Sequence, residues 1–515
     1  MMTASQRVFV NTIAQYARTI INMALSLYTV RVVLKVLGES DFGIYTLVAG
    51  IVSMMAFATN SLVLTTQRFI SYYQGKGDKE ELKNVFNNSL VIHIFLAVLV
   101  LLVLEAVSPL LFDGFLNIPG ERVPAAKSVY QLVIVILSVT FITSPFRALL
   151  ISHENIVYIS IIDVLDGVLK VVFVTLLARV PYDKLVSYGV IMLGVQLFNF
   201  LAFSGYGYLK YEECILPRFS RLKKSFIKEM LSFAGWSMYS VGCIIGRQQG
   251  ISVVLNRILG TVINAAYGIA FQIAAYTSFL SSSLVNAIAP QIVKAEGGGD
   301  RKKALWLSQV TCKFMFFLLS AVCIPCMFEI DNILSWWLKE VPQHAGMFCI
   351  MVMLAQMVDT LTIGLTHINN AIGKIGVFSV STSTPKLLSL PIVYFCINGG
   401  APLFSVAIVF VSIELICSMS RLPFIQRRAG LNLKVFFREV FAMEIIPLFI
   451  CVAVCILFIK SVSFNYRFIV TIAISMAVYG VSIYSIGLTK NERDVINEIT
   501  RNIISKIGLH HQKSE

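Results

Sequence analysis

The chain has 515 residues, 57% of them hydrophobic and only 14% charged, with a mean hydropathy of +0.79 and a formal net charge of +14. Soluble domains are nearer half apolar and a quarter charged, so the composition excludes a soluble globular protein and indicates an all-α polytopic membrane protein. The ten cysteines are scattered, and the one close pair, Cys323 and Cys326 in "CIPC", lacks the second pair that a zinc site needs and reads as core.

The opening stretch, "MMTASQRVFVNTIAQYARTI", has polar residues where a signal peptide needs an unbroken apolar run. No cleavable signal is expected. Runs of about 20 apolar residues, the length that spans a bilayer, centre near residues 22, 53, 100, 138, 168, 196, 245, 275, 318, 358, 387, 411, 450 and 477. These make about fourteen transmembrane helices. Spans 1–6 form an N-terminal lobe over residues 1–210, followed by a basic linker, 211–233. Spans 7–12 form a second lobe over 234–422, and a basic loop covers 423–440. Spans 13 and 14 occupy 441–487, and a tail runs over 488–515.

With the N-terminus inside, 26 of the 42 Lys and Arg residues fall in cytoplasmic segments, 9 in outer loops and 7 within spans. This is a positive-inside bias with both termini cytoplasmic. It assigns the basic clusters to topology and removes nucleic acid as a partner. Of the intramembrane cations, Arg31, Arg147 and Lys313 sit near span ends, where long side chains snorkel to the interface. The outer loops around "LFDGFLNIPGERVPAAK" and "SWWLKEVPQHAG" are too short for a folded domain. "GKGDKEE" and "GGGDRKK" lack the spacing of a phosphate cradle, so no ATPase, cofactor or metal site is expected.

The sequence repeats itself. "VLKVLG", ending at Gly38, returns as "LNRILG", ending at Gly260, 222 residues later. Asp78 of "GDKEEL" and Asp300 of "GDRKKAL" have the same separation, as do Ser61 and Ser283 in their "SLV" triplets. Pro119 and Pro342 are 223 apart. Spans 1–6 and 7–12 are therefore two parallel copies of one unit, an arrangement typical of transporters that alternate access between two sides.

Several spans carry polar stripes. At 100° per residue, Asn11, Gln15, Arg18, Asn22, Ser26 and Thr29 fall within an arc of about 80° on span 1. A charge at mid-bilayer costs at least ~2.5 kcal/mol, so this face must look into protein or a watery cavity. Span 7 carries Ser237, Ser240, Arg247, Gln248 and Ser252 on one side, and Gly246 and Gly250 of "GRQQG" on the opposite side, where another helix can approach closely. Asp163, Asp166 and Lys170 share a face of span 5, with Asp166 and Lys170 at ion-pair spacing. Asp359, Thr362, Thr366 and Asn370 line one side of span 10, and Lys386 sits among serines and threonines in span 11. These acids and lysines are candidates for ion coupling or cavity lining; His93 and His367 read as core or interface residues.

"VLGESDFGIYTLV", "GISVVLNRILGTVINAAYGIAFQI", "AIAPQIVKAEGGGD" and "LKEVP" together resemble the polysaccharide-exporter branch of the multidrug/oligosaccharidyl-lipid/polysaccharide (MOP) superfamily, and more specifically the O-antigen (Wzx-type) flippases. The resemblance implies a V-shaped, two-lobed, MATE-like transporter in the bacterial inner membrane, acting as a monomer. It also implies transport of undecaprenyl-pyrophosphate-linked oligosaccharide, with a polymerase or ligase of the same glycan pathway as a partner. Arginine's planar fork suits phosphate oxygens, so Arg18 and Arg247 are the candidate head-group ligands, with Gln15, Asn22 and Gln248 for sugar hydroxyls. A MATE-type cation or drug antiporter is the alternative, since Asp163, Asp166 and Asp359 could serve a cation. A membrane glycosyltransferase or polymerase would need a large outer loop that this chain lacks, so no enzyme activity is expected.

Overall fold

In a computed structural model, residues 4–497 are described except 54–55, 113–117, 339–340, 463, 465, 491 and 495–496. Most of the tail expected at 488–515 and parts of three loops expected to be outer ones therefore lie outside the described residues. Everything described is helix, turn or irregular backbone. The first half holds α1 (Ala4–Ser53), α2 (Ala56–Lys76), α3 (Lys79–Leu110), α4 (Val123–Ser152), α5 (Ile156–Leu177) and α6 (Lys184–Lys210). The second begins with α7 (Lys224–Leu259), α8 (Thr261–Gly297), α9 (Arg301–Phe328), α10 (Ile330–Trp337), α11 (Ala345–Thr360) and α12 (Ile363–Ile372). It continues with α13 (Gly376–Asn398), α14 (Phe404–Ala429), α15 (Leu433–Phe436), α16 (Ala442–Ser461) and α17 (Arg467–Ser482).

Among the described residues, nine helices are long and apolar enough to cross a membrane, or ten if the bent pair α11–α12 is one span. The chain is a multi-pass membrane protein. The figure of fourteen rests on the sequence pattern, which also counts helices such as α5, 22 residues long and interrupted by Asp163, Asp166 and Lys170. Helix extends into both basic connectors: α7 starts at Lys224 and α14 runs to Ala429.

Local geometry repeats with the same offset as the sequence. Gly38 bends α1 with φ 77° and ψ 171°, and Gly260, at the start of α8, has φ 88° and ψ −178°. That backbone region is open essentially to glycine alone, which explains why a glycine ends both "LG" motifs. Asp78 caps α3 by accepting the amide of Glu81, and Asp300 caps α9 by accepting the amide of Lys303, each at 3.1 Å. Each carboxylate satisfies an amide that the first turn leaves without a partner.

The chain divides into two compact units, Val10–Met238 and the residues from Tyr239 onward, the latter with those before Val10. The first is centred on Tyr130, Ile134 and Phe141, with the Tyr130 hydroxyl donating to the Leu104 carbonyl at 2.8 Å. The second is centred on Tyr267, Phe348, Met353 and Cys323; Cys323 is buried there as a core residue. Helices approach closely where residues are small, as lipid-phase packing favours. A Cβ on Gly250 would lie 2.5 Å from Leu390 of α13, and one on Gly246 would lie 3.1 Å from Leu387, so the glycine side of "GRQQG" packs on α13.

The last two long helices belong to the second unit. Ser320 of α9 hydrogen-bonds the Tyr479 hydroxyl of α17 at 2.7 Å, and Glu329 receives Arg467 Nε at 2.8 Å and Nη2 at 3.0 Å. Lys313 corrects the sequence reading. It is 1% exposed and does not snorkel; its Nζ lies 2.6 Å from Glu492, which follows α17 and brings a carboxylate into the interior.

Span 10 is also not one straight helix. It breaks at Leu361 and Thr362, and α11 and α12 meet at 47°. The Asp359 carbonyl, released from regular helix bonding, accepts Arg421 Nη1 at 3.0 Å. Thr362 is fully buried and bonds Ser418 Oγ at 2.6 Å. Such repair is what allows a helix to break inside a membrane. The expected stripe Asp359–Thr362–Thr366–Asn370 is accordingly divided between two helices.

Candidate substrate cavity

In the first unit, the polar stripe of α1 faces α5. Arg18 Nη1 donates to Asp163 at 2.7 Å, and Arg147 of α4 holds the same carboxylate through both terminal nitrogens at 2.9 and 2.7 Å. Arg147 was expected to snorkel; it instead turns inward, because a carboxylate within reach satisfies its fork at less cost than a path through lipid. A Cβ on Gly167 would sit 3.0 Å from Asn22 Oδ1, an atom with no hydrogen-bond partner among the described residues. Gln15 is buried. Asp166 pairs with Lys170 at 2.7 Å and accepts Asn199 Nδ2 at 2.6 Å. The expected Asp166–Lys170 pair is present, and Arg18, Asp163 and Arg147 form a separate cluster with one surplus positive charge. His93 is buried and hydrogen-bonds the Ser89 carbonyl at 2.7 Å, as a core histidine.

The second unit holds an open cavity of about 610 Å³ lined by α7, α8, α9, α11, α12, α13 and α14. Its charged lining consists of Arg247, Lys386, Asp359 and Glu414, joined by His367 and by Gln248, Gln356, Ser278 and Asn286. Arg247 and Gln248, placed on one side of span 7 by helical geometry, both reach it, whereas Gln249 is exposed. Arg247 Nη1 donates to Glu414 Oε2 at 2.7 Å, and Lys386 Nζ donates to Glu414 Oε1 at 2.5 Å. The Arg247 guanidinium lies over the Phe410 ring, 4.0 Å from its centroid, a favourable stacking of cation on ring face. Asp359 receives Arg421 Nη2 at 2.5 Å and lies 4.0 Å from Lys386 Nζ. Three cations thus face two carboxylates.

Glu414 and Arg421 escaped sequence reasoning. Arg421, at the edge of the second lobe's sequence range, is buried in α14 against Asp359. The available signal was stoichiometric: Arg247 and Lys386 within apolar spans require acids, and "VSIELICS" holds a lone glutamate in span 12.

The fold is that of the MATE-type transporters of the MOP superfamily. A crystal structure of a MATE point mutant matches with a TM-score of 0.72 at 14% identity, over 83% of this chain and 97% of that one. A MOP superfamily transporter from Pyrococcus furiosus, described as having a binding pocket of reversed polarity, matches with a TM-score of 0.65 at 15% identity, over 84% of this chain and 98% of that one. The model of the polysaccharide biosynthesis protein family matches residues 5–296, more than half of the chain, and the chain belongs to that family. It is 22% identical to the uncharacterized membrane protein EpsK of Bacillus subtilis (strain 168) over 297 residues. That match covers 56% of this chain and 57% of EpsK, so the chain spans little more than half the length of this relative. The family is thus that of polysaccharide biosynthesis proteins, and the fold is the one seen in MATE structures.

Proposed function

We propose that the protein moves a polyprenyl-pyrophosphate-linked oligosaccharide, the repeat unit of a surface glycan, across the bacterial cytoplasmic membrane by alternating access. The observation that carries this reading is the charge of the cavity in the second unit. Arg247 and Lys386 line it, Arg421 backs it, and among the described residues Asp359 and Glu414 are the carboxylates that oppose them. The lining itself is balanced, and the surplus cation is Arg421 behind it, whose hold on Asp359 weakens that carboxylate's opposition to Lys386 and so favours an anion; a lipid-linked sugar carries its charge on phosphate. Gln248, Gln356 and Asn286 add amide groups suited to sugar hydroxyls.

On this reading Arg247 binds the pyrophosphate and Gln248 the adjoining sugar, while Arg18, Gln15 and Asn22 form the polar face of the other lobe. The family supports a glycan substrate, and a polymerase or ligase of the same pathway is the natural downstream partner. Both carboxylates of the cavity are already held by cations, which argues against a cationic drug as substrate. The test is a deletion strain. Lipid-linked oligosaccharide should accumulate on the cytoplasmic face and surface glycan should fall. Unchanged glycan together with raised sensitivity to cationic drugs would refute the assignment.

A further inference from the structure

Glu414 occupies an unusual position in this cavity. Its side chain is only 3% exposed, and its two oxygens are divided between two cations from different helices, Arg247 of α7 and Lys386 of α13. These are the same two basic groups that an anionic ligand in the cavity would seek. The arrangement recurs in the first unit, where Asp163 of α5 is held between Arg18 of α1 and Arg147 of α4. Since α1 and α7 occupy corresponding places in the two copies, each copy uses an arginine on its first helix to grip a carboxylate together with a second cation.

A carboxylate gripping two cations has the charge pattern of a phosphate bound at the same place. Both offer adjacent anionic oxygens, and arginine's fork accepts either. A ligand phosphate and Glu414 therefore compete for the same donors. Displacing Glu414 as an anion would leave a charge buried in low dielectric without a partner, which is strongly unfavourable. The exchange is feasible if the displaced carboxylate takes up one proton from the bulk aqueous phase, becomes neutral, and leaves Arg247 and Lys386 to the phosphate.

We infer that Glu414 is a resident stand-in for the substrate's phosphate, gripping Arg247 and Lys386 until a phosphate-bearing ligand displaces it with uptake of one proton. The inference rests on the assignment of this cavity to such a ligand and adds a regulatory residue to it. Other titratable or charged groups face the same cluster: Asp359 on α11, His367 on α12, Cys417 and Arg421 on α14, and Tyr267 on α8 near Arg247. Glu414 alone bridges the two cations that line the cavity.

The experiment uses the full chain in lipid nanodiscs, with inorganic pyrophosphate as the probe of affinity and sulfate, whose charge is constant between about pH 5 and 8, as the probe of pH dependence. Glu414→Gln should bind pyrophosphate about tenfold more tightly than the native chain, the loss of one charge-assisted competitor. Sulfate binding to the native chain should strengthen as pH falls, and this slope should vanish in Glu414→Gln and persist in His367→Gln. Unchanged or weaker pyrophosphate binding in Glu414→Gln, or a retained sulfate slope, overturns the inference. If Glu414→Gln does not fold, the native chain and His367→Gln decide: a flat sulfate profile in the first, or loss of the slope in the second, overturns it. Arg247→Met separates the two claims. If it abolishes pyrophosphate binding while the Glu414 results fail, the phosphate assignment stands and the exchange does not; if the native chain binds neither probe, both fall.

Discussion

Replacing Lys313 with methionine tests whether its charge is truly internal. Its ammonium lies 2.6 Å from Glu492, with side chains 2% and 6% exposed, and the carboxyl of Glu444, also buried, has no hydrogen-bond partner among the described residues. Lys313→Met keeps the stem but leaves Glu492 without its cation. Opposite charges about 4 Å apart at an effective dielectric near 20 are worth ~4 kcal/mol, in line with the ~3–5 kcal/mol cost of removing one partner from a buried pair. At ~2 °C per kcal/mol for a large chain, the melting midpoint in detergent should fall on the order of 5–10 °C. Removing both charges in Lys313→Met/Glu492→Leu should recover most of that loss, because a buried ion pair gains little over an apolar pair of similar volume. A snorkelling lysine predicts otherwise: no loss in the single variant. That result would refute the packing of Glu492 and of the C-terminal helices on α9.

A Cβ on Gly364 of α12 would collide with the Ser308 carbonyl oxygen and lie 2.9 Å from the Cys312 amide nitrogen, backbone that cannot rotate away. Gly364→Ala should therefore cost ~1–3 kcal/mol or more, and Gly250→Ala, opposed only by the mobile Leu390 methyls, should cost less; thermal melts of the two variants check the order. Asp163→Asn leaves Arg18 and Arg147 without a carboxylate and should destabilise by ~3–5 kcal/mol, seen as a lowered melting midpoint and faster proteolysis. Burial is the largest single influence on the Glu213 carboxyl and raises it, but the hydrogen bond to His153 at 2.5 Å, the charge of that imidazole and further hydrogen bonds together outweigh burial and hold the group below its usual range. Its stabilising contribution is complete above the ordinary glutamate pKa of about 4.3 and is lost as pH falls through the lower folded value. The melting difference between the native chain and Glu213→Gln should thus shrink as pH falls from about 4.3 toward 3.

Periodicity and local motifs made the fold legible. Apolar run length located the helices, the 222-residue repeat anticipated the matched glycine bends at Gly38 and Gly260 and the matched aspartate caps, and the wheel separated Arg247 and Gln248 from Gly246 and Gly250, though not that the first pair lines a cavity within the second unit or that the glycines meet α13. Pairing across long separations was not legible. Arg18 and Asp163 are 145 residues apart, Arg247 and Glu414 167, and Lys313 and Glu492 179. A single-helix pattern shows that a charge must be satisfied, but not which distant residue satisfies it. Arg147 and Lys313 were misplaced for that reason: each lies near a span end in sequence, and each has a carboxylate brought to it by another helix or segment. The break between α11 and α12 was hidden because its repair comes from Arg421 and Ser418 in α14, more than fifty residues away.

The central claim is that Arg247 receives the phosphate of a lipid-linked oligosaccharide. It is tested most directly by the flipping rate of a fluorescent polyprenyl-pyrophosphate oligosaccharide in liposomes containing the full chain, native or Arg247→Ala, at equal incorporation. The native chain should flip the lipid and Arg247→Ala should not; equal rates for the two would contradict the account.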